Sequence, residues 1–480
     1  MAFAQTGSTP KEAAKSFGKN SNHNKKDSKK IAKPVKRQLH LAGEKEFSCP
    51  RLADHEKTDY GTFLQGSNGW FFREEMDFSE NFNLFSEARF YLKRYAAALQ
   101  QRNITPVFVT IPPRSWIGEA FFDDTEPVMK NYSIERAKHN FHDYLQSFRN
   151  MGIITPDLGS MADKVGTDGE TFFFKRDHHW MPYGARLSSN LVRDELSKSE
   201  KYNALPKKKY ETTFKEKQFL KYFMAQEIQR ICEKDIPGEE FPIYITRQKS
   251  SEKAEDLFGG GADSSPPSVL VGTSFSAEEK FNFEGFLAQA TGLELANYAI
   301  NGGLLYNSII SYTSSEEFES AKPPFLIWEA PSNYDINANS ANAFRQIIPG
   351  IYGACKGKDV LGSQTVSVGP NTTTPLLSFD PEKNITGKDY YLFLSVSNLG
   401  LAKFTLQLDY GDGDGEWFPI DRSSHFKNTG RFFVELSDEI DNDALTSVSL
   451  INPLPVKADI NVRLCLAPNS KNNIEKDKKG

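Results

Sequence analysis

The texture of the chain changes once, near Cys355, and a single pair of layers of one kind does not accommodate both parts. Before that point short β-rich runs alternate with helix-length amphipathic segments: Trp70 to Phe72, Leu84 to Arg102, Pro106 to Ile111 and Ile134 to Met151, with Ile153-Ile154 opening another strand. Ser268 to Val271 and Phe325 to Trp328 are later strands of the same kind. This alternation predicts an α/β fold, a mostly parallel sheet with helices on both faces, because each parallel crossover needs a helix-sized connection. After Cys355 apolar and polar residues alternate with a period of two in Tyr390 to Val396, Lys403 to Tyr410, Arg431 to Leu436, Thr446 to Leu450 and Asp459 to Leu464. Strands with one apolar face, separated by Gly, Asp and Asn turns, predict an antiparallel β-sandwich. The run Gly411-Asp412-Gly413-Asp414-Gly415 invites a calcium reading but lacks the distal Glu of an EF-hand loop, so it reads as a hairpin turn.

A chain of 480 residues exceeds one ordinary core. We expect a basic, disordered segment at 1–45, an α/β domain at 46–350, a sandwich at 351–470 and a disordered tail at 471–480. The first segment has too few apolar side chains to offset the entropy of ordering it. Ten Lys or Arg against Glu12 and Asp27 make Lys11 to Arg37 strongly basic, and the net charge of −5 therefore leaves the remainder near −13. A body this acidic repels nucleic acid. No window holds the roughly 18 consecutive apolar residues that a membrane-spanning helix needs.

The four cysteines, Cys49, Cys232, Cys355 and Cys465, fit no metal-ligand spacing, so no metal site is expected. Two disulfides allow three pairings. Pairing in order, Cys49 with Cys232 and Cys355 with Cys465, is the simplest, because the second pair brackets the C-terminal region; four reduced thiols are the alternative. A Cys355–Cys465 bridge closes a loop of about 110 residues and would contribute on the order of 4 kcal/mol. Ala2-Phe3-Ala4 looks like the cleavage end of a secretory signal without its charged and apolar regions. We read it as a possible signal remnant, and export would make the disulfides coherent.

Chemistry concentrates in Asp177-His178-His179-Trp180 and in Gly272-Thr273-Ser274-Phe275-Ser276. A serine hydroxyl needs an imidazole to take its proton and a carboxylate to orient that imidazole. Asp177 and His179, one residue apart, lie on one side of an extended or turn backbone, with His178 pointing the other way and Trp180 and Pro182 packing beneath. Ser274 follows a buried strand and a glycine turn, where groups in open α/β sheets gather. Its plainer role would be a helix N-cap.

DHHW followed by Pro182 and Gly184-Ala185 is similar to the D-x-H-W-x-x-x-G-A segment of the alginate O-acetyltransferases of the AlgX and AlgJ type. Gly272 to Ser276 resembles their G-T-S-[YF]-S segment, and Gly66-Ser-Asn-Gly69-Trp70-Phe-Phe72 their G-x-x-G-W-L-F signature. The resemblance covers roughly residues 46 to 470, and the sandwich points to the AlgX branch. It implies an SGNH-hydrolase-like domain of permuted order, with Ser274 as nucleophile, His179 as base, Asp177 as its orienter and no soluble cofactor. It further implies Tyr334 in the active site, with Asn301 and Gly302 as oxyanion donors and Arg114 as a further cleft residue. The sandwich would be a carbohydrate-binding module, where Trp417, Lys403 and Arg431 are contacts by residue type. Two positions depart from the family pattern: His178 stands where Thr is commoner, and Phe275 where Tyr is usual.

The activity so implied is transfer of an acetyl group, through a seryl intermediate, to mannuronate hydroxyls of alginate in the periplasm. The partners implied are alginate or polymannuronate, an acetyl donor protein or small acetyl ester, and other alginate export and modification proteins. An SGNH-type carbohydrate acetyl esterase would use the same three residues, and a catalytically silent polysaccharide-binding scaffold would use none of them.

Overall fold

The first two strands are short, β1 (Phe63–Gln65) paired antiparallel with β2 (Phe71–Arg73). The structure, a computed structural model, describes residues 48–470 apart from 53–56, 59, 250–266, 412, 414, 439–443 and 469. The segments expected to be disordered, 1–45 and 471–480, lie outside the described residues. The next strand, β3 (Thr105–Ile111), belongs to the central sheet. A separate antiparallel pair follows, β4 (Tyr210–Leu220) with β5 (Glu239–Gln248). The central sheet is completed by β6 (Ser268–Val271), β7 (Leu295–Asn297) and β8 (Phe325–Pro331), in the order β3-β8-β6-β7, all parallel. Every residue of β6 and β8 is buried, as central strands of a covered parallel sheet must be.

Helices pack with this sheet at Ser86–Gln101, Ile134–Arg149, Pro182–Leu196 and Ser340–Tyr352. Ser133 caps the second of them by accepting Arg136 N–H at 3.1 Å. The strand expected at Ile153-Ile154 is reduced to one parallel bridge, Val107 with Ile154. Pro156 follows two residues on and offers the ladder no N–H.

The C-terminal part holds β9 (Val360–Val368), β10 (Thr372–Ser378), β11 (Tyr390–Val396), β12 (Lys403–Tyr410), β13 (Gly415–Asp421), β14 (Arg431–Glu435), β15 (Leu445–Asn452) and β16 (Ala458–Leu466). They form two antiparallel sheets, β10-β15-β12-β13 and β14-β11-β16-β9, which share a core that includes Leu406 and Leu450 from one and Leu392 and Val462 from the other. The Gly-Asp run joins β12 to β13, which pair from Asp409 opposite Gly415; Asp412 and Asp414 lie outside the described residues.

Ion pairs lock the sandwich to the helices. Both Nη of Arg94 donate to the buried Glu435 carboxylate at 2.6 Å, and Arg345 donates to Glu416 and, at 2.8 Å, to the Glu435 carbonyl. Disulfides join Cys49 to Cys232 and Cys355 to Cys465, each with its Cα atoms 5.6 Å apart. Among the described residues no helix is long and apolar enough to cross a membrane.

Candidate active site

Strand β6 ends at Val271, and Gly272 carries the chain into a turn where no larger residue fits: a Cβ there would stand 2.5 Å from Glu329 Oε2 and 3.0 Å from the Glu329 carbonyl oxygen. Thr273 then caps the short helix Ser274–Ala277, its hydroxyl accepting Phe275 N–H at 3.3 Å. The capping role that the sequence offered Ser274 thus falls to Thr273. The Ser274 hydroxyl is 2.7 Å from His179 Nε2.

His179 is held by the loop that carries it. Trp180 bridges back to Phe173, and Phe174 N–H donates to the His179 carbonyl at 3.2 Å. The one-residue gap between Asp177 and His179 lets a single carboxylate oxygen, Oδ1, take both the His179 backbone N–H at 3.0 Å and the ring Nδ1 at 2.5 Å. Trp180 lies buried beneath, its indole N–H donating at 3.0 Å to the carbonyl of Phe275, the neighbour of Ser274. Acid, imidazole and hydroxyl form one hydrogen-bonded chain at the carboxyl end of a parallel strand. Burial works to raise the Asp177 carboxyl, but the fields of His178 and His179 and the hydrogen bonds from His179 outweigh it and hold it at about 2, so the acid is a carboxylate.

His178 does not point away as expected. Its ring centroid lies 3.8 Å from that of His179, it packs against Phe223 and Phe275, and its Nδ1 is 3.7 Å from Asp177 Oδ2. Burial and then the neighbouring His179 push it well below the usual histidine range, while Asp177 acts the other way. The donor atoms of Asp177, His178 and His179 lie within 4.8 Å of one another, close enough to share an ion, but His179 is engaged on both ring nitrogens.

Sequence reasoning missed Glu329. It is fully buried on β8 directly beneath the turn, accepting Thr273 N–H at 2.9 Å, the Thr273 hydroxyl at 3.0 Å and the Ser276 hydroxyl at 2.8 Å. Burial pushes it up to about 7 despite these donors. The signal was available: one acid inside the apolar run Phe325-Leu-Ile-Trp-Glu-Ala-Pro331.

The remaining expected residues fall in different places. Tyr334 follows β8, feels the field of Glu329, and lines a cavity of about 220 Å³ with Glu75, Asn81, Phe85 and Asn333. Asn301 donates its side-chain amide to Glu278 at 2.9 Å, and Gly302, at φ +70°, sits against the His425 ring. Ser274 N–H, in the first turn of its helix, has no intrahelical acceptor. Arg114 is buried, paired with Asp77 at 2.9 Å and donating to the carbonyls of Phe174 and Lys175. In the sandwich, Lys403 pairs with Asp421 at 3.0 Å, and Trp417, 67% exposed, stands on the neighbouring strand β13. Arg431 is elsewhere, on β14, where it bonds the Ser314 carbonyl and pairs with Glu316 and Glu319.

Comparison with known proteins gives a consistent result. Residues 63–332, more than half of the chain, match the family described as "SGNH hydrolase-like domain, acetyltransferase AlgX". The alginate biosynthesis protein AlgX of Pseudomonas aeruginosa is 27% identical over 435 residues, 88% of this chain and 89% of that protein. The probable alginate O-acetylase AlgJ of Pseudomonas fluorescens is 26% identical over 61% of this chain and 75% of its own length. The solved structure of P. aeruginosa AlgX superposes with a TM-score of 0.78 at 25% identity, covering 87% of this chain and 99% of that one.

Proposed function

Since this chain belongs to the SGNH hydrolase-like family of AlgX acetyltransferases, we propose that it transfers acetyl groups to hydroxyls of a mannuronate polymer, alginate, through an acetyl-Ser274 intermediate. The observation that carries this reading is the hydrogen-bonded chain Asp177–His179–Ser274 at the end of β6. Ser274 Oγ attacks the carbonyl carbon of an acetyl donor while His179 Nε2 takes its proton, and Asp177 balances the imidazolium. The same proton passes to the departing donor group. A sugar hydroxyl then attacks the acetyl-Ser274 ester, giving its proton to His179, and Ser274 leaves with that proton.

The oxyanion of each step needs donors in place beforehand. Ser274 N–H is one; Asn301 and Gly302 are the others we propose, Asn301 releasing Glu278 to serve. Tyr334 borders the space the acceptor enters.

We assign residues 46–350 to the catalytic domain and 351–470 to a carbohydrate-binding module. Lys403 and the exposed Trp417 are its contacts, adding effective concentration of polymer rather than chemistry. Arg431 is a less apt contact, since its guanidinium is committed to Glu316, Glu319 and Ser314. Two disulfides and the relatives' place in alginate biosynthesis support a periplasmic setting, with other export and modification proteins as partners.

The test is incubation with a small acetyl ester, with and without mannuronate oligomers, reading acetyl on the sugar by mass spectrometry. Acetylated oligomers support transfer. Free acetate released at a rate that oligomers leave unchanged, with no acetylated sugar, would make the protein an esterase.

A further inference from the structure

The loop at 422–430, which joins β13 to β14 of the sandwich, is docked on the α/β domain. Phe426 packs against the α/β core, and Lys427 N–H donates to the Ser311 hydroxyl at 3.2 Å. The Asn307 side-chain amide donates to the His425 carbonyl at 3.2 Å. Held in this way, the His425 ring reaches the α/β domain with its Nδ1 3.1 Å from the carbonyl oxygen of Asn301.

Asn301 stands in a turn tied to the nucleophile. Ile300 N–H donates to the Gly272 carbonyl at 3.0 Å, two residues before Ser274. Gly303 N–H donates to the Ile300 carbonyl at 2.9 Å, closing a turn across Asn301 and Gly302 that the φ of +70° at Gly302 makes type II. Turning over the Asn301–Gly302 peptide would convert it to type I, and glycine imposes no sign on φ, so the turn by itself does not hold that peptide. A group outside the turn does. A trans peptide sets its N–H opposite its carbonyl, so the contact of His425 with the Asn301 carbonyl fixes the direction of Gly302 N–H. Among the described residues that N–H donates to no acceptor. The packing is close: a Cβ on Gly302 would stand 2.5 Å from His425 Nδ1.

We propose that His425 is a positioning residue supplied to the active site by the sandwich: its Nδ1–H donates to the Asn301 carbonyl and holds Gly302 N–H ready for the oxyanion. The inference rests on the seryl-transfer reading with Asn301 and Gly302 at the oxyanion, and deepens it. The sandwich then serves the acyl chemistry itself, besides any hold on the polymer. One consequence separates the two roles, because a polymer-holding module has no part in the turnover of a small ester when no polymer is present. Releasing the Asn301–Gly302 peptide misaims a preorganised donor, which lowers kcat by roughly 10- to 100-fold rather than weakening the binding of the ester.

The experiment measures kcat and KM of the full chain on p-nitrophenyl acetate without polymer, with urea unfolding of each variant alongside. His425→Phe keeps a ring and removes the donor. His425→Asn returns an amide N–H near the place of Nδ1, and asparagine accepts the left-handed backbone of this position, φ +53°. His425→Phe should lower kcat by roughly 10- to 100-fold with KM little changed and the urea midpoint near that of the wild-type protein, and His425→Asn should restore most of the loss. A wild-type kcat in His425→Phe, equal losses in both variants, or a loss matched by a fall in the urea midpoint overturns the assignment of His425 and leaves the transferase reading standing. No turnover of p-nitrophenyl acetate by the wild-type protein overturns both.

Discussion

Glu329 gives the structure a pH dependence that one substitution should remove. The carboxyl is fully buried and its usual value of 4.5 is raised to about 7, by burial first and against the hydrogen bonds from Thr273 and Ser276. A raised folded value means that between pH 4.5 and about 7 the native protein holds a proton that the unfolded chain has released. Stability from this group is therefore fully present below pH 4.5, is lost as pH rises through about 7, and is flat above. At about 1.4 kcal/mol per pH unit, the rise corresponds to about 3 kcal/mol. In Glu329→Gln the amide mimics the protonated acid: its oxygen accepts Thr273 N–H and the Ser276 hydroxyl, and its NH2 donates to the Thr273 hydroxyl. The test is urea unfolding of both proteins from pH 4.5 to 8, followed by tryptophan fluorescence, since Trp328 is buried one residue away. The wild-type curve should fall by about 3 kcal/mol relative to the variant across that range. Parallel curves would refute the reasoning, because they would show that Glu329 does not change protonation between the folded and unfolded states.

Three further outcomes follow from the packing. Gly272→Ala puts a methyl 3.0 Å from a strand carbonyl that cannot move away, and should cost about 1–3 kcal/mol in urea unfolding together with a loss of acetyl transfer. Arg94→Ala strands the buried Glu435 carboxylate, and should cost about 3–5 kcal/mol by the same measurement. Trp417→Ala removes an exposed ring and should change stability by less than about 0.5 kcal/mol, while retention on immobilised polymannuronate falls.

The fold was legible where burial was one-sided or complete. Lys403–Tyr410 matched the expected range because a core face alternates with an outer one, and Tyr390–Val396 because all of it but Ser395 is buried. Strands β9 and β4 escaped notice for the opposite reason. Most of their residues are exposed, so composition there answers to water and periodicity carries no signal. Ile153-Ile154 had strand-like residues, but a ladder needs donors on both partners and Pro156 withdraws one.

In the site, the spacing of Asp177 and His179 pointed to a shared side because that geometry is local. The division of labour between Thr273 and Ser274 was not, since which of two adjacent hydroxyls caps the helix depends on where His179 arrives from 95 residues away. His178 was placed wrongly because strict alternation assumes an extended backbone, whereas this loop turns both rings to one side. Arg114 drew attention as a cation after a strand. Only the tertiary partner Asp77 reveals that it is committed.

The central claim is that Ser274 carries the acetyl group, and intact-mass and peptide mapping of the protein quenched during turnover of p-nitrophenyl acetate tests it most directly. The account predicts an added acetyl on the peptide containing Ser274, chased off by mannuronate oligomers. It also predicts that the adduct is absent, and turnover reduced on the order of 10^4-fold, in Ser274→Ala. An acetyl on a different residue, or full turnover by Ser274→Ala, would contradict it.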